Sequence, residues 1–576
     1  MFEGVFGKNF WIATAIAFIV ILGWDYFFMK DVKKANQNSI VAPSNQTNTN
    51  PVLSLTPKEE KPQSREEILA LSSRVTISNP MIEGSLSLQS GIIDDISLKY
   101  YKQTIDPNSA NIRIFDIKNT DNAYFFESGW LSSSKIALPS SKTIWSTTAT
   151  TLTPDSPVTL SWNNKQGLIF RKIISIDDLY VLTIVDEVEN ISGATLELAP
   201  FSLILRHQDP QVQDLFINHE GFVGYVANSL ERIKYEDTLE KIYSFNTTGG
   251  YLGFTDKYWL SSILLEKNQK SEVRFLSFKD SGKINNYQVD NKGIIATLAP
   301  QSKLSTITHL FVGPKEYNVI KHYNQKFSLE KFDDTIDFGW FFFFTKPMIK
   351  FLLWIYNMVG NFGIAILIFT VIIRLIILPI AYKSYISMAK LKELQPKMKE
   401  LKATYAQDLQ KYNKELMGLY KKEKVNPLSG CLPVLLQIPI FFSIYKVIFI
   451  SIEMRHAAFF GWVKDMSVAD PSNIFTLFGL IPIDLPGFLH IGIWPILMGV
   501  TMYFQQKFAT TQALDGLQQK IMNMMPVILV FVLASFPVGL VIYWTWSNVL
   551  SIIQQYIINK KVHRDLMMKN KKRKKV

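Results

Sequence analysis

The chain is 576 residues long, too long for one ordinary domain, with 19% charged and 48% hydrophobic residues and a formal net charge of +12. Mean hydropathy is +0.10, which with that composition excludes a wholly disordered chain. One cysteine, Cys431, excludes a disulfide framework and any cysteine-built zinc or iron–sulfur site.

The averages hide a split. Residues 31–335 read as soluble protein, and much of 338–558 reads as lipid-facing. The basic excess raises nucleic acid or an anionic membrane as partners, and its location decides between them.

The first apolar run, Phe10 to Met29, is long enough to span a bilayer. A cleaved signal peptide fits it less well, because only Lys8 precedes the run and no small-residue cleavage site follows. Residues 1–30 are therefore expected to form a transmembrane anchor. Residues 31–64 are rich in Asn, Gln, Ser, Thr and Pro, cannot bury enough apolar area to order themselves, and read as a disordered linker.

Residues 65–335 show period two. Ile96, Leu98 and Tyr100 alternate with polar neighbours, as do Val158, Leu160 and Trp162, and Leu196 with Leu198. Short β-rich stretches between Gly, Asn, Asp and Pro predict a β-sandwich-like domain. It carries no P-loop and no GxGxxG, and His207 in LRHQDP reads as a surface or packing histidine, not a ligand.

The composition then flips. Trp340–Phe344 is a run of five aromatics, and 346–360 carries Lys346 and Lys350 beside Leu, Ile and Trp. That pattern predicts an amphipathic helix lying in the membrane interface. Ile364–Tyr382 is the second span, with Arg374 as its eleventh residue, so 339–382 holds the interfacial helix and this span. In 383–425, Met388, Leu391, Leu394, Met398 and Leu401, then Leu409, Tyr412, Leu416 and Leu419, form two seams around 403–408. They predict an antiparallel helical hairpin. Residues 426–558 hold four more spans: Cys431–Ile450, Leu489–Gln506, Ile521–Phe536 and Val538–Ile558. Segment 471–488, broken by Pro482 and Pro486, reads as interfacial. A basic tail, 559–576, closes the chain.

Orientation follows from charge. The hairpin has eleven Lys against five acidic residues and the tail nine Lys or Arg against one Asp, leaving the rest of the chain near −2. Lys/Arg-rich segments stay cytoplasmic, so hairpin, tail and, with six spans, the N-terminus lie inside and the β-domain outside. Lys30, Lys33 and Lys34 on the outer side disagree, but long translocated domains override local charge.

The residues SMAKLKELQPKMKELK (387–402), LYKKEKVNPLSGCLPVLLQIPIFFSIYKV (419–447), PILMGVTMYFQQK (495–507) and FPVGLVIYWTWSNVLSIIQQ (536–555), preceded by TVIIRLIILP (370–379), resemble the YidC/Oxa/Alb membrane protein insertases, closest to the Gram-negative YidC form. The resemblance is specific over about 340–560, and the layout fits over the full length. It implies an α-helical membrane protein of the bacterial inner membrane, with a five-span core plus one N-terminal span and a periplasmic β-supersandwich that is largely dispensable for insertion. The core would form a hydrophilic groove open to the cytoplasm and to lipid. The implied activity is insertion and folding of nascent membrane proteins, with no bond-making chemistry and no cofactor or metal. Further candidate partners are the Sec translocon and, through hairpin and tail, the ribosome and anionic lipids.

Arg374 is the strongest candidate site residue. A charge in mid-span costs about 2.5–3.5 kcal/mol on insertion scales, and the second to sixth spans hold no Asp or Glu to pair with it. Thr370 lies one turn earlier on the same face. On the last span Trp544, Ser547, Asn548, Ser551 and Gln555 form one polar stripe, open to two readings: groove lining or ordinary interhelical hydrogen bonding. Gln437 is a weaker candidate, as are Gln505 and Gln506. The resemblance implies that Tyr543 and Trp544 face the substrate, with Trp544 standing where Tyr is common. Leu428-Ser429-Gly430-Cys431 mimics a lipobox but lacks an apolar run before it, so Cys431 reads as a packing residue. The tail reads as a contact for ribosomal RNA or anionic lipid ahead of a plain topology anchor, and composition does not choose between the first two, because phosphate attraction is sequence-independent. Two rival functions are a secondary transporter with Arg374 as anion site and a membrane-anchored scaffold for periplasmic partners. The lack of inverted repeats and of coupling acids stands against the first.

Overall fold

The computed structural model describes residues 65–573 except 119, 135, 208–217, 281–283, 424–431, 477–480, 482–489 and 509–515. The expected N-terminal anchor, the linker, Cys431 and most of the interfacial segment 471–488 lie outside the described residues.

After a short helix α1 (Arg65–Leu71), seventeen strands between Arg74 and Pro314 form one hydrogen-bonded network. Neighbours pair antiparallel, as Phe275 does with Val289 and Leu205 with Phe125. One pairing, Thr76–Ile77 with Thr151–Leu152, is parallel. The longest strand, Trp259–Asp280, bonds successively to Tyr243–Thr255, Ile284–Gly293 and Ser302–Pro314, and so ties the domain together.

The period-two reading holds in detail. In Leu168–Ile176, Leu168, Phe170, Ile174 and Ile176 point into the core. Lys172 takes an inward position too, at 2% exposure, and its Nζ is held by Asp186 Oδ1 at 2.7 Å and Ser128 Oγ at 2.6 Å. Tyr100 is the exception. Ile96 and Leu98 are buried as expected, but Tyr100 is 73% exposed. The register slips between Leu98 and Lys102, and such a slip sends a side chain to the other face.

Helix α2 (Tyr317–Lys326) leads into α3 (Phe342–Val359), where the interfacial helix is expected. Met348, Ile349, Leu352, Leu353 and Ile355 are buried, while Trp354 and Met358 stand on the open face. Gly360, at φ 69°, ends this helix, and the Asn361 side chain caps α4 by accepting from the Ile364 amide at 3.0 Å.

Helix α4 runs unbroken over Phe362–Thr404, through Pro379 and Pro396. The apolar stretch ends at Ser384, beside the expected boundary at 382/383, but the helix is not broken there: the backbone continues while the side chains change from apolar to charged. A turn at 405–407 and the Asp408 cap start α5 (Leu409–Lys422). The hairpin seam forms: Leu391 and Leu394 are buried, with Met398, Leu419 and Tyr420 packed on them.

The remaining helices are α6 (Leu432–Ile450), α7 (Ile493–Phe508), α8 (Gly516–Leu533) and α9 (Val538–Arg573). Only the turn 534–537 separates α8 from α9, and α9 carries the expected tail along as helix to Arg573. Among the described residues one helix, Phe362–Ser384, is long and apolar enough to cross a membrane, and Gln437–Ile450 and Asn523–Leu533 are shorter apolar stretches. One continuous set of buried apolar side chains runs from the sheet through Phe332, Ile336 and Phe338 into α3, α4, α6 and α9.

Candidate functional site

The site is built where α4 and α9 pack together, with α6 and α7 beside them. Helical geometry puts Arg374 about 18 Å along α4 from its capped end. Its guanidinium crosses to α9 and donates to Ser547 Oγ and, at 3.1 Å, to the Ser547 carbonyl. That carbonyl also accepts from Ser551 Oγ at 2.8 Å. Arg374 is half-buried, and Ser547 and Ser551 are buried.

Thr370 is buried one turn away, but its hydroxyl donates to the Ile366 carbonyl of its own helix at 2.6 Å. That back-bond satisfies the hydroxyl locally, as is common for threonine in apolar helices. Gln437, on α6, donates to the Tyr543 hydroxyl at 3.0 Å. Trp544 lies against Phe441 of α6 with ring centroids 4.6 Å apart. Asn548 donates to Thr501 Oγ1 of α7 at 3.3 Å. Gln555 is buried two turns beyond Asn548, toward the hairpin, and Gln505 and Gln506 are half-buried on α7.

The polar stripe of α9 is thus distributed among its neighbours. Ser547 and Ser551 meet Arg374, Tyr543 and Trp544 meet α6, and Asn548 meets α7. Thr501 and Trp546, whose indole N–H reaches the Leu367 carbonyl at 3.2 Å, complete these crossings and were not visible as site residues in the sequence. A polar side chain on α7 one helix away from a polar stripe is a weak signal.

A second charge was missed. Lys446 is the one charged residue of α6, and it is buried. The signal was the same as for Arg374, a lone basic residue in an apolar run. Lys446 pairs with Asp337 of the segment that leaves the β-domain, at 2.9 Å. Arg374 differs in that its bonds to α9 go to neutral oxygens. Among the described residues no group of three or more His, Cys, Asp or Glu is placed to hold a metal ion.

Two family models match. The 60Kd inner membrane protein model covers residues 354–565, and the YidC periplasmic domain model covers 74–351. The chain is 42% identical to the membrane protein insertase YidC of Methylobacterium radiotolerans, over 96% of this chain and 94% of that protein. It is 43% identical to the insertase of the same name from Beijerinckia indica, over 96% of each. A solved structure of an active YidC insertase, with its first transmembrane domain resolved, aligns with 84% of this chain and 95% of its own at 18% identity and a TM-score of 0.34.

Proposed function

The chain belongs to the YidC family of membrane protein insertases, and from that premise we propose how this molecule inserts its clients. It is an inner-membrane protein with a periplasmic domain, acts on nascent membrane proteins, and is not an enzyme in the bond-making sense. In our reading α4, α6, α7, α8 and α9 are five spans, preceded by the N-terminal one, with both termini cytoplasmic.

Contacts at the helix ends support this topology. Asn361 at the start of α4 bonds Ala458, Lys446 near the end of α6 bonds Asp337, and Val538 at the start of α9 bonds Val468. Ala458 and Val468 belong to the loop after α6, whose Arg455 donates to the Gln103 carbonyl of the β-domain at 3.0 Å, so these ends gather on its side. The basic hairpin and the basic end of α9 follow at the opposite ends, where the cytoplasm would be. They are the surfaces to test for ribosome and anionic lipid, and the Sec translocon is a further partner to test.

The mechanism rests on Arg374, Thr370, Gln437, Tyr543, Trp544, Ser547, Asn548, Ser551 and Gln555 as the lining of a groove open to the cytoplasm. A client's acidic polar segment enters it and is drawn to Arg374, whose attraction is strengthened where the dielectric is low. The apolar part of α8, Asn523–Leu533, is about 16 Å long against roughly 30 Å of hydrocarbon. That mismatch thins the bilayer locally and shortens the crossing. The client's own helix then moves into lipid, and its burial drives the step without nucleotide. A membrane potential adds about 2.3 kcal/mol per charge per 100 mV.

The observation that carries this reading is that Arg374 bonds neutral Ser547 within stretches, 364–382 of α4 and 538–558 of α9, that hold no Asp or Glu. The test is insertion of single-span clients by purified protein in liposomes. Arg374→Lys should keep most activity, since charge and not a bidentate fork is needed. Arg374→Ala should fail most on clients with acidic translocated tails. Equal insertion of such clients by Arg374→Ala and wild type would sink the mechanism.

A further inference from the structure

We propose that Lys446 is a positioning residue whose ion pair with Asp337 pins the outer end of α6 to the β-domain and so sets where α6 presents Gln437 to Tyr543.

Lys446 lies at 5% exposure, and its Nζ is 2.9 Å from Asp337 Oδ2. Asp337 is held from several sides. Oδ2 also accepts from the His219 amide at 3.2 Å, and Oδ1 from the Gly339 amide at 3.1 Å. Arg232, on a strand of the β-domain, stands 3.9 Å from Oδ1 and donates to the Asp334 carbonyl at 2.6 Å. Burial alone would raise the Asp337 carboxyl, but the charges of Lys446 and Arg232 and these N–H donors outweigh it and hold it at about 2. The anchor is therefore charged across the physiological range.

The chain at this point is shaped for the contact. Gly339, at φ +70°, turns the backbone toward α3, and the Lys446 stem passes 3.4–3.6 Å from where a Cβ there would sit. Next along the chain, Lys346 of α3 bonds Asp333 at 2.8 Å and Asp334 at 2.6 Å. The segment 333–346 is thus clamped to both α3 and α6.

Gln437 lies nine residues before Lys446 on the same helix, about 14 Å away. Sliding or rotating α6 moves Gln437 off the Tyr543 hydroxyl, and the pin resists both motions. The functional consequence rests on the groove reading above, but the geometric one does not.

The experiment uses the full chain in a Cys431→Ser background. Cysteines replacing Gln437 and Tyr543 report α6–α9 alignment by their rate of oxidative cross-linking, and liposome insertion is measured separately with both residues intact. Lys446→Met and Asp337→Asn should each slow cross-linking and insertion several-fold, and the double variant should do no more than either alone. Lys446→Arg should restore both, and the melting of the β-sheet should stay unchanged in Asp337→Asn. Slower cross-linking with normal insertion upholds the pin and overturns the groove reading. Wild-type cross-linking in both Lys446→Met and Asp337→Asn overturns the pin, as does failure of Lys446→Arg to rescue.

Discussion

The β-domain and the helical core treat buried charge in opposite ways. In the β-domain cations meet carboxylates: Lys172 with Asp186 at 2.7 Å, Arg274 with Asp290 at 2.9 Å, and Arg74 with Asp94. In the core, Arg374 bonds serine oxygens, and the apolar stretches 364–382 and 538–558 of the two helices hold no acid. A matched charge is consumed by the fold. On the reading proposed above, the field of Arg374 acts on a client that arrives later. Lys446 sits on the border and follows the rule of the β-domain, since its partner is Asp337.

The contrast is open to attack by substitution, and the largest effect should come from the matched side. Lys172→Leu strands Asp186 without its cation, which should cost about 3–5 kcal/mol of β-domain stability, whereas Lys172→Leu with Asp186→Leu should recover most of it. Unfolding of the detergent-solubilised chain, followed by its β-sheet circular dichroism, measures both. Arg374→Leu should behave differently. Ser547 and Ser551 can bond their own helix, so stability should change by less than about 1 kcal/mol. Insertion of an acidic-tailed client should nevertheless fall about tenfold, equivalent to about 1.4 kcal/mol. An Arg374→Leu core that melts as readily as the Lys172→Leu sheet would erase the distinction.

A smaller effect separates packing from groove. Asn548→Ala removes the 3.3 Å bond to Thr501 and should cost about 1 kcal/mol. If Asn548 only joins α7 to α9, insertion of acidic and neutral clients should drop alike. Selective loss of acidic clients would place Asn548 with Arg374.

Much of this was legible in the residues, for reasons that differ by region. Arg374 stood out because a charge in an apolar run is rare, and its partner Ser547 because the stripe on α9 keeps helical spacing. Lys446 carried the same signal, but its partner lies 109 residues earlier, and no local pattern links them. The strand alternation marked Ile96 and Leu98 as core, yet a register slip reversed Tyr100. The pairing of Thr76 with Thr151 is set by distant packing that no local window contains. The end of the second span, read at Tyr382, lies within two residues of the end of the apolar stretch at Ser384, but α4 runs on to Thr404, because apolarity and helicity are separate properties and only the first one stops there.

The subtlest test lies at the junction of the two regions, in the turn Ile452–Met454 between α6 and the β-domain. Burial pushes the Glu453 carboxyl up to about 7, and the negative charge of Glu316 adds to it, while backbone N–H donors offset only part. The folded chain therefore binds a proton more tightly here than the unfolded chain does. This group's contribution to stability is complete below about pH 4.5, declines as pH rises through about 7, and is gone above that. Between pH 5.5 and 8 the melting midpoint of the solubilised parent should fall by several degrees relative to that of Glu453→Gln, as a change of about 2 kcal/mol implies, while buried His219, whose burial lowers it to about 4, shifts both proteins alike in the opposite sense. Glu453→Gln keeps the shape and removes this titration, so the gap between the two midpoints should change over the interval. The Lys446–Asp337 pair serves as an internal control, because Asp337, held at about 2, stays charged throughout. A Glu453→Gln variant whose midpoint follows pH as the parent's does would mean that Glu453 is ionised at this junction and that the border between the two regions is wetter than its packing implies.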